Sequence, residues 1–333
     1  MKFKKVAVIG AGAWGTALSS IWAQKGLSIV LWGNDRSRVE SIKKSRENES
    51  RLPGVRIPDS VGLTSELQAC ADADLVVFVT PSTALRSVAA RLRDSPVRSG
   101  AVMLSCIKGI EHGSGKRMSE ILREAFPNHP IAVLSGPNLA IEVSRELPTA
   151  TVLACTQPAI AAELQDALGT RRFRIYTGDE LAGIELGGAL KNVFAIAAGA
   201  GDGLGLGDNS KAALVTRSLA EMVRLGTKMG GELRTFYGLS GAGDLIATCF
   251  SQLSRNRRVG EELAHGRSLG EINSLIGTVA EGIPTAKSAY ECARKFHVDT
   301  PIIDQVYSLI YEAKAPARAM EELLSRDQKA ERL

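Results

Sequence analysis

Three sets of residues in this sequence have types and spacings that do chemistry. Gly10, Gly12 and Gly15 form a G-x-G-x-x-G loop between a short β-rich run and a helical stretch. Such a loop turns tightly at its first glycine and lets the backbone approach a pyrophosphate at its second. Its third lets helix and strand pack closely. The helix that follows presents unpaired N–H groups and the positive end of its dipole to phosphate. Lys191 is the second. It is the only charged residue between Glu185 and Asp202, in LGGALKNVFAIAAGAG, and its helical neighbours at i±3 and i±4 are Gly187, Gly188, Phe194 and Ala195. With no polar stripe to carry it to water, it must be held by specific partners. Burial then lowers its pKa toward the range useful for proton transfer. The third set lies in residues 238–260. Gly241 and Gly243 flank Asp244, a carboxylate suited to orienting a lysine or a substrate hydroxyl. Ser254, Arg255 and Asn256 bring a hydroxyl, a guanidinium and an amide together, as a phosphate monoester requires, and Arg257 and Arg258 extend the basic run.

The elements that must position these residues follow from hydrophobic pattern. Residues 6–9, 28–32, 75–79, 101–105, 131–134 and 151–154 read as strands, and residues 13–25, 36–46, 82–93 and 116–125 as helices. The unbroken apolar run LVVFV at 75–79 is what a strand covered on both faces of a parallel sheet requires. The alternation predicts an α/β fold whose first half is a Rossmann-like, doubly wound parallel sheet. A polar loop is expected around Pro53 and Pro58. From Asp179 onward strands disappear, and residues 180–199, 210–229, 257–265, 285–295 and 302–313 read as helices. The expected division is a dinucleotide-binding domain at 1–180 and an all-α substrate and catalytic domain at 181–333. Lys108 follows the 101–105 strand, and Ser135-Gly136-Pro137-Asn138 follows the next, so both lie at carboxyl strand ends, where open α/β sheets bind ligands.

Composition excludes several classes. At 333 residues, 44% hydrophobic and 23% charged, the chain is globular. Five Cys and four His are scattered without metal-ligand spacing, which argues against a disulfide scaffold or a metal site and fits a reducing, cytoplasmic setting. A net charge of +5 spread along the chain favours small anionic ligands but is no nucleic-acid signature. Residues 1–23 imitate a signal peptide, yet the glycine spacing and the strand soon after favour strand, turn and helix. The stretch at 186–201 reads as too short and too polar to span a bilayer, so no stable membrane insertion is expected. Coenzyme choice stays open: after the second strand Asp35 suits a ribose and Arg36 a 2′-phosphate, so NAD and NADP both fit.

Nine segments then resemble, in order and over nearly the whole chain, the bacterial type of NAD(P)-dependent glycerol-3-phosphate dehydrogenase. They are GAGAWGTAL, CIKGIE, SGPN, LPTA, GALKNVFAIAAG, GDGLGLGDNSKAAL, LSGAGDLIATC, LSRNRR and VAEGIPTA. The resemblance implies reversible reduction of dihydroxyacetone phosphate by NADH or NADPH to sn-glycerol 3-phosphate, the glycerophospholipid backbone, by a homodimer. It implies Lys191 as proton donor and acceptor, with substrate contacts from Lys108, Gly136, Asn138, Asp244, Ser254, Arg255 and Asn256. It implies coenzyme contacts from Trp14, Lys108, Ala140, Arg255, Val279 and Glu281 beside the glycine loop, and places Asn192 and Thr248 along the site. Three positions depart from the usual bacterial pattern. Ala13 stands where Ser is common, keeping only its backbone N–H for the pyrophosphate. Asn138 stands for Ser or Thr, as in the eukaryotic enzymes. Asn34 stands where many relatives carry Arg or His, which weighs against a strong NADP preference. Ketopantoate reductases and β-hydroxyacid dehydrogenases share the loop and a helical-domain lysine but need no LSRNRR anchor. A non-catalytic dinucleotide sensor leaves Lys191 and Asp244 unexplained.

Overall fold

A computed structural model describes residues 3–277, 280–327 and 330. The chain divides into two compact units. One comprises residues 1–107 and 118–181, the other residues 108–117 and 182–333.

The first unit is built on ten strands: β1 (Lys5–Ile9), β2 (Ser28–Trp32), β3 (Glu47–Asn48), β4 (Leu52–Arg56), β5 (Gly62–Thr64), β6 (Leu75–Phe78), β7 (Val102–Ser105), β8 (Ile131–Ser135), β9 (Thr149–Cys155) and β10 (Phe173–Gly178). Eight form one sheet in the order β10-β9-β8-β7-β6-β1-β2-β5, while β3 and β4 pair separately. Its helices are α1 (Ala13–Gln24), α2 (Arg36–Ser45), α3 (Leu85–Arg93), α4 (Met118–Ala125), α5 (Ala140–Ser144) and α6 (Pro158–Leu168). Side chains alternate between two cores, as the pleat requires. Val6, Val8, Leu75 and Val77 join α1 and α6 on one face, and Ala7, Ile9, Val76 and Phe78 join α3 and α4 on the other. That is why the 75–79 run is apolar without interruption. The order reverses between β1 and β6, which makes the gap at their carboxyl ends the topological switch point, where such sheets bind ligands. The residues that imitate a signal peptide are β1 and α1, built into this core.

Two expectations need correction. The sheet is not parallel throughout: β9 runs antiparallel to β8, and β10 continues parallel to β9. An apolar run specifies burial but not strand direction, so the pattern alone could not distinguish the two. Residues 47–56, expected as a loop, hold the β3–β4 pair, whose Leu52 and Val55 pack on Ala17 of α1.

The second unit is helical: α7 (Leu181–Gly203), α8 (Gly207–Lys228), α9 (Leu233–Phe236), α10 (Asp244–Phe250), α11 (Arg255–Ala264), α12 (Leu269–Ile276), α13 (Gly282–Lys295), α14 (Pro301–Tyr311) and α15 (Pro316–Leu324), with a π-helical stretch at Leu239–Gly243. The central helix, α7, is apolar all round because it is covered all round, with Leu186, Leu190, Val193, Phe194 and Ile196 fully buried. By length and composition it does reach membrane-spanning size, contrary to the sequence reading, but 89% of its apolar window is buried inside the fold. Residues 108–117 leave the first unit after β7 and join this one. Among the bonds that hold them there, Arg117 Nη1 pairs with Glu185 Oε2 at 3.0 Å, and Ser288 Oγ donates to the Ile110 carbonyl at 3.0 Å.

Candidate active site

The glycine loop has the geometry its spacing predicts. Gly10 sits at φ +129°, in the region that favours glycine, and a Cβ there would lie 2.8 Å from the Val79 carbonyl oxygen. A Cβ on Gly15 would lie 2.0 Å from the Gly10 carbonyl oxygen, so helix and loop pack backbone to backbone. A Cβ on Gly12 would meet nothing within 4 Å. Gly12 is the N-cap of α1, and no side chain caps that helix. The first turn therefore offers backbone N–H groups toward open space, which fits the pyrophosphate of a dinucleotide. Ala13 and Trp14 occupy that first turn. The Trp14 indole packs on Phe173 (centroids 6.2 Å apart), so its backbone is the part it presents to the loop. Ala13, Trp14 and Ala140 share one apolar patch with Ala17 and Leu52.

At the end of β2, Asn34 accepts a hydrogen bond from Arg91 Nη1 at 3.2 Å. Asp35 is the N-cap of α2: its Oδ1 accepts from Ser37 Oγ (2.7 Å) and from the Arg38 backbone N–H (3.1 Å). The ribose role open to Asp35 in the sequence thus competes with a cap. Past β8, Gly136 takes φ +146° beside Thr151. Asn138 Oδ1 accepts from Thr151 Oγ1 at 3.0 Å, while its buried Nδ2 has no partner among the described residues.

In the second unit, the fold gathers Lys108, Lys191, Asp244 and Thr248 into one network. Lys191 Nζ lies 3.0 Å from Asp244 Oδ1 and donates to Thr248 Oγ1 at 2.6 Å. Lys108 Nζ donates to Asp244 Oδ2 at 2.5 Å. Thr248 is one turn beyond Asp244 on α10 and donates to the Asp244 carbonyl at 2.6 Å. One carboxylate therefore carries two ammonium groups. Glycine makes this possible. A Cβ on Gly187 would sit 2.8 Å from the Ser240 carbonyl oxygen, so the backbone before Asp244 rests on α7 one turn from Lys191. Lys191 is 7% exposed. Desolvation pulls its pKa down to about 8; the Asp244 charge works against that pull, and the Lys108 charge adds to it.

The LSRNRR segment starts α11. Ser254 is its N-cap, accepting from the Arg257 backbone N–H at 3.2 Å. Helix α11 meets α7 through glycine: a Cβ on Gly260 would lie 1.8 Å from the Ile196 carbonyl oxygen, and one on Gly199 1.8 Å from that of Arg257. This contact sets Asn256 against Asn192, with Asn256 Nδ2 donating to Asn192 Oδ1 at 2.8 Å and Asn256 Oδ1 accepting from Gly282 N–H at 2.9 Å. The basic run is narrower than its sequence suggests. Arg257 is bound to Asp202 (2.5 Å) and Glu261 (3.3 Å), and Arg258 lies 3.9 Å from Glu262, while Arg255 is exposed. Glu281 sits at the N-cap of α13, and Val279 lies outside the described residues.

Residues 5–161 match the N-terminal part of the NAD-dependent glycerol-3-phosphate dehydrogenases, and residues 180–321 match the C-terminal part. The chain belongs to this family. A relative from Geobacter sulfurreducens, glycerol-3-phosphate dehydrogenase [NAD(P)+], is 45% identical over 333 residues, covering 99% of each chain. The crystal structure of glycerol-3-phosphate dehydrogenase from Coxiella burnetii superposes with a TM-score of 0.95 at 36% identity, covering 98% of this chain and 100% of that one. A ketopantoate reductase from Ralstonia eutropha reaches a TM-score of 0.59 at 16% identity, covering 95% and 99%, which shows a shared fold and no more. Sequence reasoning singled out Lys191 and Asp244. It missed Arg91 as a neighbour of Asn34, since a solvated arginine on α3 carries no local signal.

Proposed function

We propose that this family member reduces dihydroxyacetone phosphate reversibly to sn-glycerol 3-phosphate with NADH or NADPH, in the cytoplasm and as a homodimer without stable membrane insertion, supplying the glycerophospholipid backbone. The observation that carries the reading is Lys191: a buried ammonium with a pKa near 8, aimed by Asp244 and Thr248. In the reductive direction Lys191 Nζ hydrogen-bonds the C2 carbonyl oxygen and transfers its proton there as the carbonyl becomes an alcohol. A bound NADH or NADPH would supply the hydride that C2 takes up. Neutral Lys191 then recovers a proton from solvent, and in the oxidative direction it removes the hydroxyl proton. Asp244 keeps the lysine positioned, and Lys108 adds a second cation for the substrate's oxygens. Arg255, Asn256, Ser254 and the α11 N-terminus hold the phosphate, with Asn192 and Thr248 lining the same network and Gly136 and Asn138 completing the substrate contacts. The glycine loop, Ala13, Trp14, Asn34, Lys108, Ala140, Arg255, Val279 and Glu281 hold the coenzyme.

The test is oxidation of NADH and NADPH, followed by absorbance, with dihydroxyacetone phosphate and with unphosphorylated dihydroxyacetone. Turnover confined to the phosphorylated ketone is expected. Equal turnover of both, or turnover only with a 2-oxo acid such as ketopantoate, would replace this reading with that of another two-domain reductase. Coenzyme binding without any turnover would leave a sensor.

A further inference from the structure

The carboxyl end of β2 holds more positive charge than a bare ribose requires. Arg91 is fixed there by two contacts: its Nη1 donates to Asn34 Oδ1 at 3.2 Å, and its guanidinium carbon lies 5.7 Å from the centre of the Trp32 ring. Trp32 is the last residue of β2 and is itself anchored, Nε1 donating to the Ser65 carbonyl at 3.0 Å. Arg91 comes from α3, which follows β6, so it reaches the end of β2 from the far side of the switch point. Helix α2, which follows β2, contributes a second guanidinium. Arg38, in the first turn of α2, has a buried Nε with no partner among the described residues. Arg38 is close enough to Arg51 that its charge adds to burial in lowering the Arg51 pKa. The Arg38 charge also reaches Asp35, whose carboxyl pKa it helps to lower, so what Arg38 offers an anion is its unspent Nε donor.

The negative side of the inventory is short. An NAD site presents a carboxylate at this strand end to accept hydrogen bonds from the ribose hydroxyls, and that carboxylate repels a 2′-phosphate. Here Asn34 is neutral, and the carboxylate that follows it, Asp35, has Oδ1 committed to the cap of α2.

We infer that Arg91, with Arg38, recognises a phosphate on the 2′-oxygen of the adenosine ribose, so that this chain binds NADPH in preference to NADH. The inference rests on the dinucleotide reading of the glycine loop. It reverses the expectation drawn from Asn34 alone: the amide at that position does not replace the missing cation but orients one delivered from α3.

Two adenosine fragments that differ only in the 2′-phosphate, 2′,5′-ADP and 5′-AMP, isolate the effect in calorimetric titrations of the whole protein. The wild type should bind 2′,5′-ADP at least about 10-fold more tightly. Arg91→Gln should remove most of that preference while leaving 5′-AMP affinity within about twofold, and the NADPH-to-NADH ratio of dissociation constants should fall in parallel. Arg91 is exposed, so its variant should fold, which circular dichroism checks; Arg38→Gln provides the second variant. Equal affinity of the wild type for the two fragments, or an undiminished preference in Arg91→Gln, would overturn the assignment. Failure of both whole coenzymes to bind would instead overturn the reading of the glycine loop.

Discussion

In the β1–α1 turn the recognition surface is backbone: three glycines remove side chains so that N–H groups and carbonyls can be brought where they are needed. Around Lys191 the surface is side chain, assembled from the 108–117 segment, α7 and α10. The first region is specified by residues within six positions of one another. The second joins Lys108 to Asp244 across 136 positions, and every group in it needs another to be tolerable. Lys191 without Asp244 is a buried charge, and Asp244 without its lysines is another. A backbone site fails by being filled. A side-chain site fails by losing a partner.

The largest effect should come from the side-chain region. Lys191→Ala should lower kcat by about 10²–10⁴ while leaving coenzyme affinity near wild type, because it removes the proton donor and touches no part of the glycine loop. Near-normal turnover in steady-state kinetics would break the assignment. Asp244 then keeps Lys108 but loses the other of its two ammonium partners, so some loss of stability should accompany the loss of rate.

Gly15→Ala should rank next and act in the opposite way. Its added Cβ would start 2.0 Å from the Gly10 carbonyl oxygen, and both atoms belong to backbone. A cost of about 3 kcal/mol is expected, visible as a lower midpoint in urea unfolding of the coenzyme-free protein. An unchanged midpoint would mean that the loop is not the close-packed turn described.

These two expectations show what was legible. The glycine loop can be read because its requirements are local: a positive φ at Gly10 and a backbone contact at Gly15 are met within one turn. Lys191 can be read because a charge in an apolar helix breaks its own pattern. Its relation to Asp244 was legible in part: Gly241 signals a close backbone approach and Gly187 supplies the facing gap, whereas a Cβ on Gly243 would meet only ordinary contacts, the nearest at 3.6 Å. Lys108 could be placed at a strand end but not paired with Asp244, because nothing in CIKGIE announces that the chain leaves one unit for the other there. Asp35 and Ser254 read as ligand groups and Arg257 as part of the basic run, yet each also serves its own helix as a cap or an ion pair. Strand β10 was passed over because its alternate residues Arg174 and Tyr176 are exposed, so its pattern reads as a charged loop.

The pH dependence sharpens the side-chain half of the comparison. Lys191 must be protonated to serve reduction and neutral to serve oxidation. With its pKa pulled down to about 8, reduction should slow as pH rises through about 8, and oxidation should accelerate over the same range. The Asp244 charge raises that pKa, so Asp244→Asn should move both midpoints downward, in addition to lowering the rate. Profiles of kcat/KM in both directions check the sign. Midpoints that stay in place in Asp244→Asn would show that another group titrates.

The smallest effect on the fold comes from the same substitution made three residues earlier in the glycine loop. Gly12→Ala adds a Cβ into open space at a residue with φ −88°, which alanine adopts readily. The N-cap preference of glycine over alanine predicts a loss of under about 1 kcal/mol, less than half the cost at Gly15. Coenzyme affinity should nevertheless fall by about 10-fold or more, since the methyl group occupies the space through which the pyrophosphate reaches the backbone. Gly12→Ala and Gly15→Ala thus separate binding from stability within one turn of chain. If Gly12→Ala bound NADPH as tightly as the wild type in fluorescence titration, the open space above Gly12 would not be where the phosphates lie, and the backbone half of the comparison would fail while the Lys191 network stood.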